Sequence, residues 1–327
     1  MKLLGIDIGG TKVSLSIGDE SGTVFASRRI ETKSLGTPEE GLPKIVEAIG
    51  HLLRDENIEL KEIAGIGLAV PGPVSTKTER MLTPPNMPKW VDVPIVEYLR
   101  DALGRPIFMD NDANAGALGE WEFGEAKHVN CLVYLTMSTG MGGGIIMDGK
   151  LHQGATDTAG EVGHYILDPN GPKCFCGQRG CFEAFCGGAS AAARLQENVA
   201  CLSDSQVLKE AGGDLKSIDL QALLKAVKKS DPFAMEFWED YIERLAQGIG
   251  ILIQVLNPDA IILGTIASQN KTLVMGPLQQ ALPKYAWNVP LAHCRIEPSK
   301  LGKDLGKLGA LALVIHGLKK NSSKKNF

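Results

Sequence analysis

The chain has 327 residues, of which 44% are hydrophobic and 22% charged, a composition typical of folded globular proteins and long enough for two domains. Its net charge of -4 provides no basic surface of the kind that nucleic acid requires, and no stretch has the apolar length of a membrane span. Because Asp7 interrupts the short apolar start, we predict no signal peptide and expect a cytoplasmic protein that binds neither nucleic acid nor membrane.

The first third of the chain alternates between strand and helix patterns. A glycine turn, Gly9–Lys12, separates the first two strands. A region rich in proline between Met81 and Val93 is predicted to be a loop, which often lines a site. The predicted strands are 3–8, 13–17, 23–30, 63–70 and 106–109, and the predicted helices are 38–55, 95–103 and one that begins just after Asp112 and ends near 121.

The arrangement of strand, glycine turn and strand then recurs, at 131–137, 138–144 and 145–147. This recurrence indicates two related halves. Asp231 and Pro232 are typical of a cap and a first helical position, and apolar residues follow at helical spacing to about 256. A strand at 260–263 and a closing helix at 308–318 complete the pattern.

Four residues of one short segment have the spacing of metal ligands. One imidazole and three thiols, the set that tetrahedral Zn²⁺ takes in a structural site, come from His164, Cys174, Cys176 and Cys181. Two alternatives stay open: the cysteines are ordinary core residues, or they form disulfides. The odd total of seven cysteines and the polar residues around them favour zinc.

Both glycine turns present backbone N–H groups that suit a polyphosphate. The alternative is that each glycine run only forms a tight hairpin. Neither turn matches the Gly-x-x-x-x-Gly-Lys-Ser/Thr phosphate loop, and the chain after Gly144 returns as a strand, which excludes a dinucleotide-binding βαβ unit.

Asp112 stands just before a predicted helix, so two roles compete. An isolated Asp in this context usually caps the helix. Beside Asn111 and between two phosphate turns, the same carboxylate suits a general base that accepts the proton of a sugar hydroxyl during phosphoryl transfer.

Taken together these motifs resemble the ROK family of bacterial sugar kinases and repressors, over essentially the whole chain. The resemblance rests on the following stretches: Asp7-x-Gly-Gly-Thr-Lys12, Pro84-Pro-Asn86 with Trp90, Asn111-Asp-Ala-Asn114, Thr139-Gly-x-Gly-Gly-Gly144, Gly160-Glu-x-Gly-His164, Cys174-x-Cys-Gly-x-x-Gly-Cys181-x-Glu183, and Asn257-Pro-Asp259 before Gly264.

The resemblance implies an α/β fold, two-lobed and actin-like or ribonuclease H-like, with ATP, Mg²⁺ and a sugar in a central cleft and a structural Zn²⁺ nearby. It implies that Asp112 is the catalytic base and that His164 also ligates the zinc. The implied sugar ligands are Asn86, Asn111, Glu161, His164 and Glu183. The implied nucleotide and magnesium ligands are Asp7, Gly9, Gly10, Thr11, Lys12, Thr139, Gly140 and Gly264.

By the same resemblance, a small lobe spans 1–117 and is completed by a C-terminal helix at about 305–320. A large lobe spans 118–304 and carries the zinc loop, and 321–327 form a polar tail. A homodimer is expected. Ser138 and Thr265 stand where the family commonly has glycine, so the nucleotide pocket is expected to differ in detail, and the stretch from Gly302 to Gly306 is assigned no role.

The predicted activity is that of an ATP-dependent hexose kinase, with glucose and its 6-hydroxyl as the first candidate. An N-acetylhexosamine kinase, for N-acetylmannosamine or N-acetylglucosamine, is the closest alternative. A sugar-sensing regulator without catalysis is the alternative from another class. The predicted first strand begins at Leu3, which leaves no room ahead of it for the helix-turn-helix of the family's repressors.

Overall fold

The computed structural model describes residues 1–202 and 204–324. The strands β1 to β12 are Lys2–Ile8, Lys12–Asp19, Val24–Glu31, Ile63–Val70, Val74–Ser75, Arg80–Met81, Ile107–Asn111, Leu132–Met137, Met141–Met147, Lys150–Leu151, Ala260–Leu263 and Arg295–Pro298. The α-helices α1 to α12 are Pro38–Asp55, Ile95–Leu103, Asp112–Phe123, Phe182–Cys186, Gly188–Val199, Gln206–Glu210, Leu220–Lys228, Pro232–Leu256, Thr265–Gln269, Lys271–Ala281, Asn288–His293 and Leu305–Lys324.

Two five-stranded sheets have the same order of strands. The first runs β3-β2-β1-β4-β7 and the second β10-β9-β8-β11-β12, so both read third, second, first, fourth, fifth when their own strands are counted along the chain. In the first sheet β1 pairs antiparallel with β2 and parallel with β4. In the second, β11 pairs parallel with both β8 and β12. The shared order confirms the prediction of two related halves.

The chain divides into two compact units. Unit 1 contains 1–129, 144–160 and the chain from Lys300 onward, and unit 2 contains 130–143 and 161–299. The boundary at 143/144 falls within β9. The lobe bounds expected from the family resemblance stay a prediction.

The core of unit 1 is formed by the first sheet and the helices against it. Leu4, Ile6 and Ile8 of β1 are fully buried, as are Ile45 and Ile49 on one face of α1. α1 begins after Thr37 with Pro38 in its first turn, where the missing N–H of proline is harmless. β1 and β7 both pair with β4, so the ends of these two strands are held in one sheet.

The core of unit 2 surrounds the long helix α8. Its buried residues Tyr241, Leu245 and Ile249 follow helical spacing, as predicted. The Asp231 side chain accepts a hydrogen bond from Ala234 N at 2.8 Å, which confirms the predicted cap. Burial of these apolar side chains contributes to the hydrophobic stabilisation of unit 2.

The structure differs from the predicted elements in several places, and the short strands β5, β6, β10 and β12 were not predicted. The glycine stretch 138–144 was predicted to be a turn, but β9 begins at Met141, because the later glycines pair as a strand. The helices between 182 and 228 and between 265 and 293 were not predicted. The helix α12 extends to Lys324 and so covers the first part of the predicted polar tail, whereas residues 325–327 lie outside the described residues.

Within residues 1–202 and 204–324, no helix combines the length and the apolar character that crossing a bilayer demands.

Candidate active site and metal site

The predicted site residues fall in both units. In unit 1, the turn between β1 and β2 is closed by a hydrogen bond of 2.9 Å from Gly9 N to Lys12 O. Thr32 Oγ1 donates to Gly9 O at 2.6 Å and holds the turn from the side. Gly10, Thr11 and Lys12 are exposed, as ligand contact requires.

Asn86 lies directly beside this turn. A Cβ atom added at Gly10 would lie 3.0 Å from Cβ of Asn86, so the absence of a side chain at Gly10 permits the approach. A cavity of about 260 Å³ is lined by both residues and by Trp90, among others. Trp90 is itself buried, and its indole N–H donates to Gly36 O at 3.1 Å, which fixes the loop that carries Asn86.

Asn111, not Asp112, is the N-cap of α3. Its Oδ1 accepts a hydrogen bond from Asn114 N at 2.7 Å. Asp112 is the first residue of the helix and is exposed, so the cap role weighed for it from the sequence is wrong. The Nδ2 group of Asn111 donates to no atom of the described residues and is available to a ligand.

Asp7 carries an unusual carboxyl group. Its pKa is raised to about 6, first by burial and then by the negative charge of Asp112, while the positive charge of Lys12 lowers it. A half-buried carboxylate that lies close to another negative charge suits a cation as its partner. The first turn of α12 also approaches this carboxylate, because a Cβ at Gly306 would collide with Oδ2 of Asp7.

Sequence reasoning missed a buried network next to Asn111. Asp110 Oδ1 accepts hydrogen bonds from Asn111 N at 2.8 Å and Asn114 Nδ2 at 2.7 Å, and Oδ2 accepts from Gln153 Nε2 at 2.7 Å. Burial raises the pKa of Asp110 to about 6. The only sequence signal for this network is the adjacency of Asp110 to Asn111, since Gln153 lies 43 positions away along the chain.

In unit 2 the four predicted metal ligands converge. The ligand atoms of His164, Cys174, Cys176 and Cys181 all lie within 4.8 Å of one another. The Cys176 and Cys181 sulfurs are 3.6 Å apart, close to the separation of about 3.8 Å that tetrahedral Zn–S bonds of about 2.3 Å require. His164 Nδ1 lies 3.6 Å from the Cys174 sulfur. The donor set and its geometry therefore fit Zn²⁺.

All the cysteines of the chain are free thiols in the structure. Without a cation, burial raises the pKa of the Cys181 thiol to about 12. A bound cation would reverse this preference, because the thiolate is the form that ligates a metal.

The second ring nitrogen of His164 faces a carboxylate. Nε2 lies 4.0 Å from Oε2 of Glu161, and His164 N donates to Glu161 O at 3.1 Å. Burial raises the pKa of Glu161, the charge of His164 lowers it and the charge of Glu183 raises it. Glu161, His164 and Glu183 thus form one cluster beside the metal donors.

The glycine turn of unit 2 lies next to the same cluster. Glu183 Oε2 accepts a hydrogen bond from Met141 N at 2.8 Å, immediately after Thr139 and Gly140. Gly264 lies elsewhere, at the carboxyl end of β11, where a Cβ would collide with the hydroxyl of Tyr134. Since β8 and β11 are parallel neighbours, Gly264 and the turn that follows β8 are both at carboxyl ends, where α/β sheets bind ligands.

The chain matches the ROK family model over residues 3–316. It is 31% identical over 314 residues to a glucokinase from Thermotoga maritima, covering 96% of this chain and 97% of that protein. It is 29% identical over 313 residues to a xylose repressor from Caldicellulosiruptor bescii, covering 96% of this chain and 78% of the repressor.

Among solved structures, a ROK family glucokinase from Streptomyces griseus in complex with glucose and AMPPNP matches with a TM-score of 0.80 and 27% identity, covering 96% of this chain and 99% of that one. The arrangement of the site and these similarities indicate one class of protein. This chain belongs to the ROK family. The predicted fold class, α/β and actin-like with two lobes, is confirmed.

Proposed function

We propose that the protein is an ATP-dependent hexose kinase that phosphorylates the 6-hydroxyl of glucose. The observation that carries the proposal is Asp112, an exposed carboxylate at the first position of α3 whose capping role is filled by Asn111. The glucokinase similarity over nearly the full length of both chains supports the same activity.

In the proposed reaction Asp112 accepts the proton of the 6-hydroxyl as that oxygen attacks the γ-phosphate. Asn86, Asn111, Glu161, His164 and Glu183 hydrogen-bond the remaining hydroxyls and fix the sugar for in-line attack. The backbone N–H groups of Gly10, Thr11, Thr139 and Gly140, with Lys12, hold the phosphates, and Gly9 and Gly264 allow the nucleotide to approach the backbone.

Two metal ions complete the proposal. Mg²⁺ would be held near Asp7, whose raised pKa fits a carboxylate that needs a cation, and would offset phosphate charge. Zn²⁺ would be held by His164, Cys174, Cys176 and Cys181 in a structural role. Ligation through Nδ1 of His164 would fix the proton on Nε2 and so orient this nitrogen as a donor to the sugar.

The proposal is tested by Asp112→Asn. Turnover of ATP with glucose should fall by about 10²- to 10⁴-fold, the usual contribution of a general base, while the dissociation constant for glucose changes by less than about threefold. Asp101→Asn, at an exposed carboxylate on α2, is the matched control and should leave both values unchanged. Turnover near the wild-type rate in Asp112→Asn would remove the base assignment.

A sugar-sensing regulator is the second candidate, favoured by the 29% identity to a xylose repressor. It predicts sugar binding without ATP turnover. The N-acetylhexosamine alternative predicts turnover with an N-acetylated sugar in place of glucose. The homodimer stays a prediction, which light scattering after size exclusion tests.

A further inference from the structure

Glu183 has a second contact besides the sugar cluster. Its Oε2 accepts the Met141 N–H at 2.8 Å, and a Cβ added at Gly140 would lie 2.6 Å from the same oxygen. The carboxylate is therefore pressed against the backbone of the glycine turn. Any side chain at Gly140 would separate the two.

The carbonyls of the turn are held from the same side of unit 2. Ser138 O accepts from Gly188 N at 2.9 Å and Thr139 O accepts from Ala189 N at 2.8 Å. These donors belong to the first turn of α5, whose N–H groups have no partner within the helix. The turn is thus held at two carbonyls by α5 and at one N–H by Glu183 of α4.

This anchoring decides which amides face a ligand. Ser138 N donates to Gly140 O at 3.1 Å and Met141 N donates to Glu183, so both are occupied. The N–H groups of Thr139 and Gly140 donate to no group in the described part of the chain. They are the two turn amides left for a phosphate.

We propose that Glu183 is a positioning residue for the phosphate-binding turn, holding Met141 N so that the amides of Thr139 and Gly140 point together at the nucleotide. This inference rests on the proposed kinase function and goes beyond it, because it gives a sugar ligand a role in nucleotide binding. The hydrogen bond to a carboxylate is of the strong, charge-assisted kind, so its loss should be measurable.

Calorimetric titration of Mg-AMPPNP without sugar tests the role. Glu183→Ala should weaken AMPPNP binding by about 5- to 20-fold, as expected for one lost charge-assisted hydrogen bond. Glu183→Gln keeps a carbonyl oxygen that can accept a neutral hydrogen bond from Met141 N, so it should weaken AMPPNP binding by less than about fourfold. Glu161→Ala is the matched control: it removes the neighbouring carboxylate of the cluster and should weaken glucose binding alone.

Two results would overturn the inference. If Glu183→Ala bound AMPPNP with wild-type affinity, the glycine turn would keep its geometry without the hydrogen bond to Glu183. If both Glu183→Ala and Glu183→Gln bound AMPPNP more tightly than wild type, and by the same factor, Glu183 would act only as a negative charge that repels the phosphates. Zinc content, measured on each variant, verifies that the fold near Cys181 is intact.

Hydrogen exchange at the Met141 amide separates this inference from the proposed function. Protection in wild type and Glu183→Gln, with exchange at least tenfold faster in Glu183→Ala, supports positioning. Equal protection in all three overturns it. If wild type binds no AMPPNP, the kinase proposal fails and the exchange measurement still decides the role of Glu183. If Glu183→Ala does not fold, Glu183→Asp replaces it, since the shorter side chain should not reach Met141 N.

Discussion

Asn111 Oδ1 accepts the Asn114 N–H at 2.7 Å, and this bond gives the helix that carries Asp112 its N-terminal cap. Asn111→Ala should therefore destabilise the protein by about 0.5–2 kcal/mol. Asn111→Ser keeps a side-chain oxygen that can cap the helix, so it should destabilise the protein by only a few tenths of a kcal/mol. Urea unfolding of the two variants measures the difference, and equal stability would contradict the cap.

The same pair of variants separates stability from binding. Both replacements remove the Nδ2 group that we expect to contact sugar, so both should weaken glucose binding, although only the Ala variant loses stability. Glucose affinity unchanged in Asn111→Ser would exclude a direct contact.

The pKa of Asp7 predicts a pH dependence. It is raised from 3.8 to about 6, first by burial and then by the charge of Asp112. The ionised form suits Mg²⁺, so kcat/KM should rise as the pH increases through about 6. In Asp112→Asn the pKa of Asp7 should fall, because a neighbouring negative charge is removed. Carboxyl ¹³C chemical shifts report both values, and a pKa below 4 in wild-type protein would contradict the account.

The same shift predicts the direction of a stability change. Between pH 3.8 and about 6 the folded state holds a proton on Asp7 that the unfolded state has released. The free energy of unfolding contributed by this group therefore decreases as the pH rises through that range. Asp7→Asn, which cannot ionise, should show a smaller decrease in chemical denaturation experiments without Mg²⁺.

The metal site predicts zinc in the purified protein. Wild type should contain one zinc ion per chain by elemental analysis when no chelator is used. Cys181→Ser should lose most of it, and its Tm should fall by roughly 5 °C or more, because a structural ion contributes to folding. Cys201, exposed and outside the donor cluster, provides the control Cys201→Ser with full zinc content. Little zinc in well-folded wild-type protein would return the cysteines to a core role.

Thr265 adopts a backbone angle that favours glycine. Its φ is +25°, unusual for a β-branched residue, at the start of α9. Thr265→Gly should stabilise the protein by about 1 kcal/mol through relief of this strain. Ser268→Gly, within the same short helix, should instead cost about 0.5–1 kcal/mol. Destabilisation by both replacements, measured by urea unfolding, would show that Thr265 is unstrained.

Local patterns predicted much of the fold. The alternation in β2, the buried run of β4 and the Asp-Pro start of α8 are properties of adjacent residues, so their bounds follow closely from the sequence. The helices α5, α7 and α10 were missed, because no prediction was made for the stretch between the zinc loop and Asp231 and none between Gly264 and the closing helix predicted at 308–318. Their packing around α8 decides their conformation.

The metal donors that were predicted are also close together in the sequence, whereas the contacts that were missed join distant residues. The zinc donors lie within 18 consecutive positions, so their spacing alone predicts convergence. The contact between Glu183 and Met141 joins residues 42 positions apart, and that between Asp110 and Gln153 spans 43. Such contacts depend on how strands and helices pack, which local sequence does not encode.

The most direct test of the central proposal is coupled ADP release with Mg-ATP and a panel of sugars: glucose, mannose, fructose, allose, N-acetylglucosamine and N-acetylmannosamine. We predict turnover with the highest kcat/KM for glucose, and none with 6-deoxyglucose, which lacks the accepting hydroxyl. A higher kcat/KM for an N-acetylated sugar would replace glucose as substrate and leave the reaction class intact. The absence of ADP release with every sugar, in folded and zinc-loaded protein, would contradict the kinase proposal.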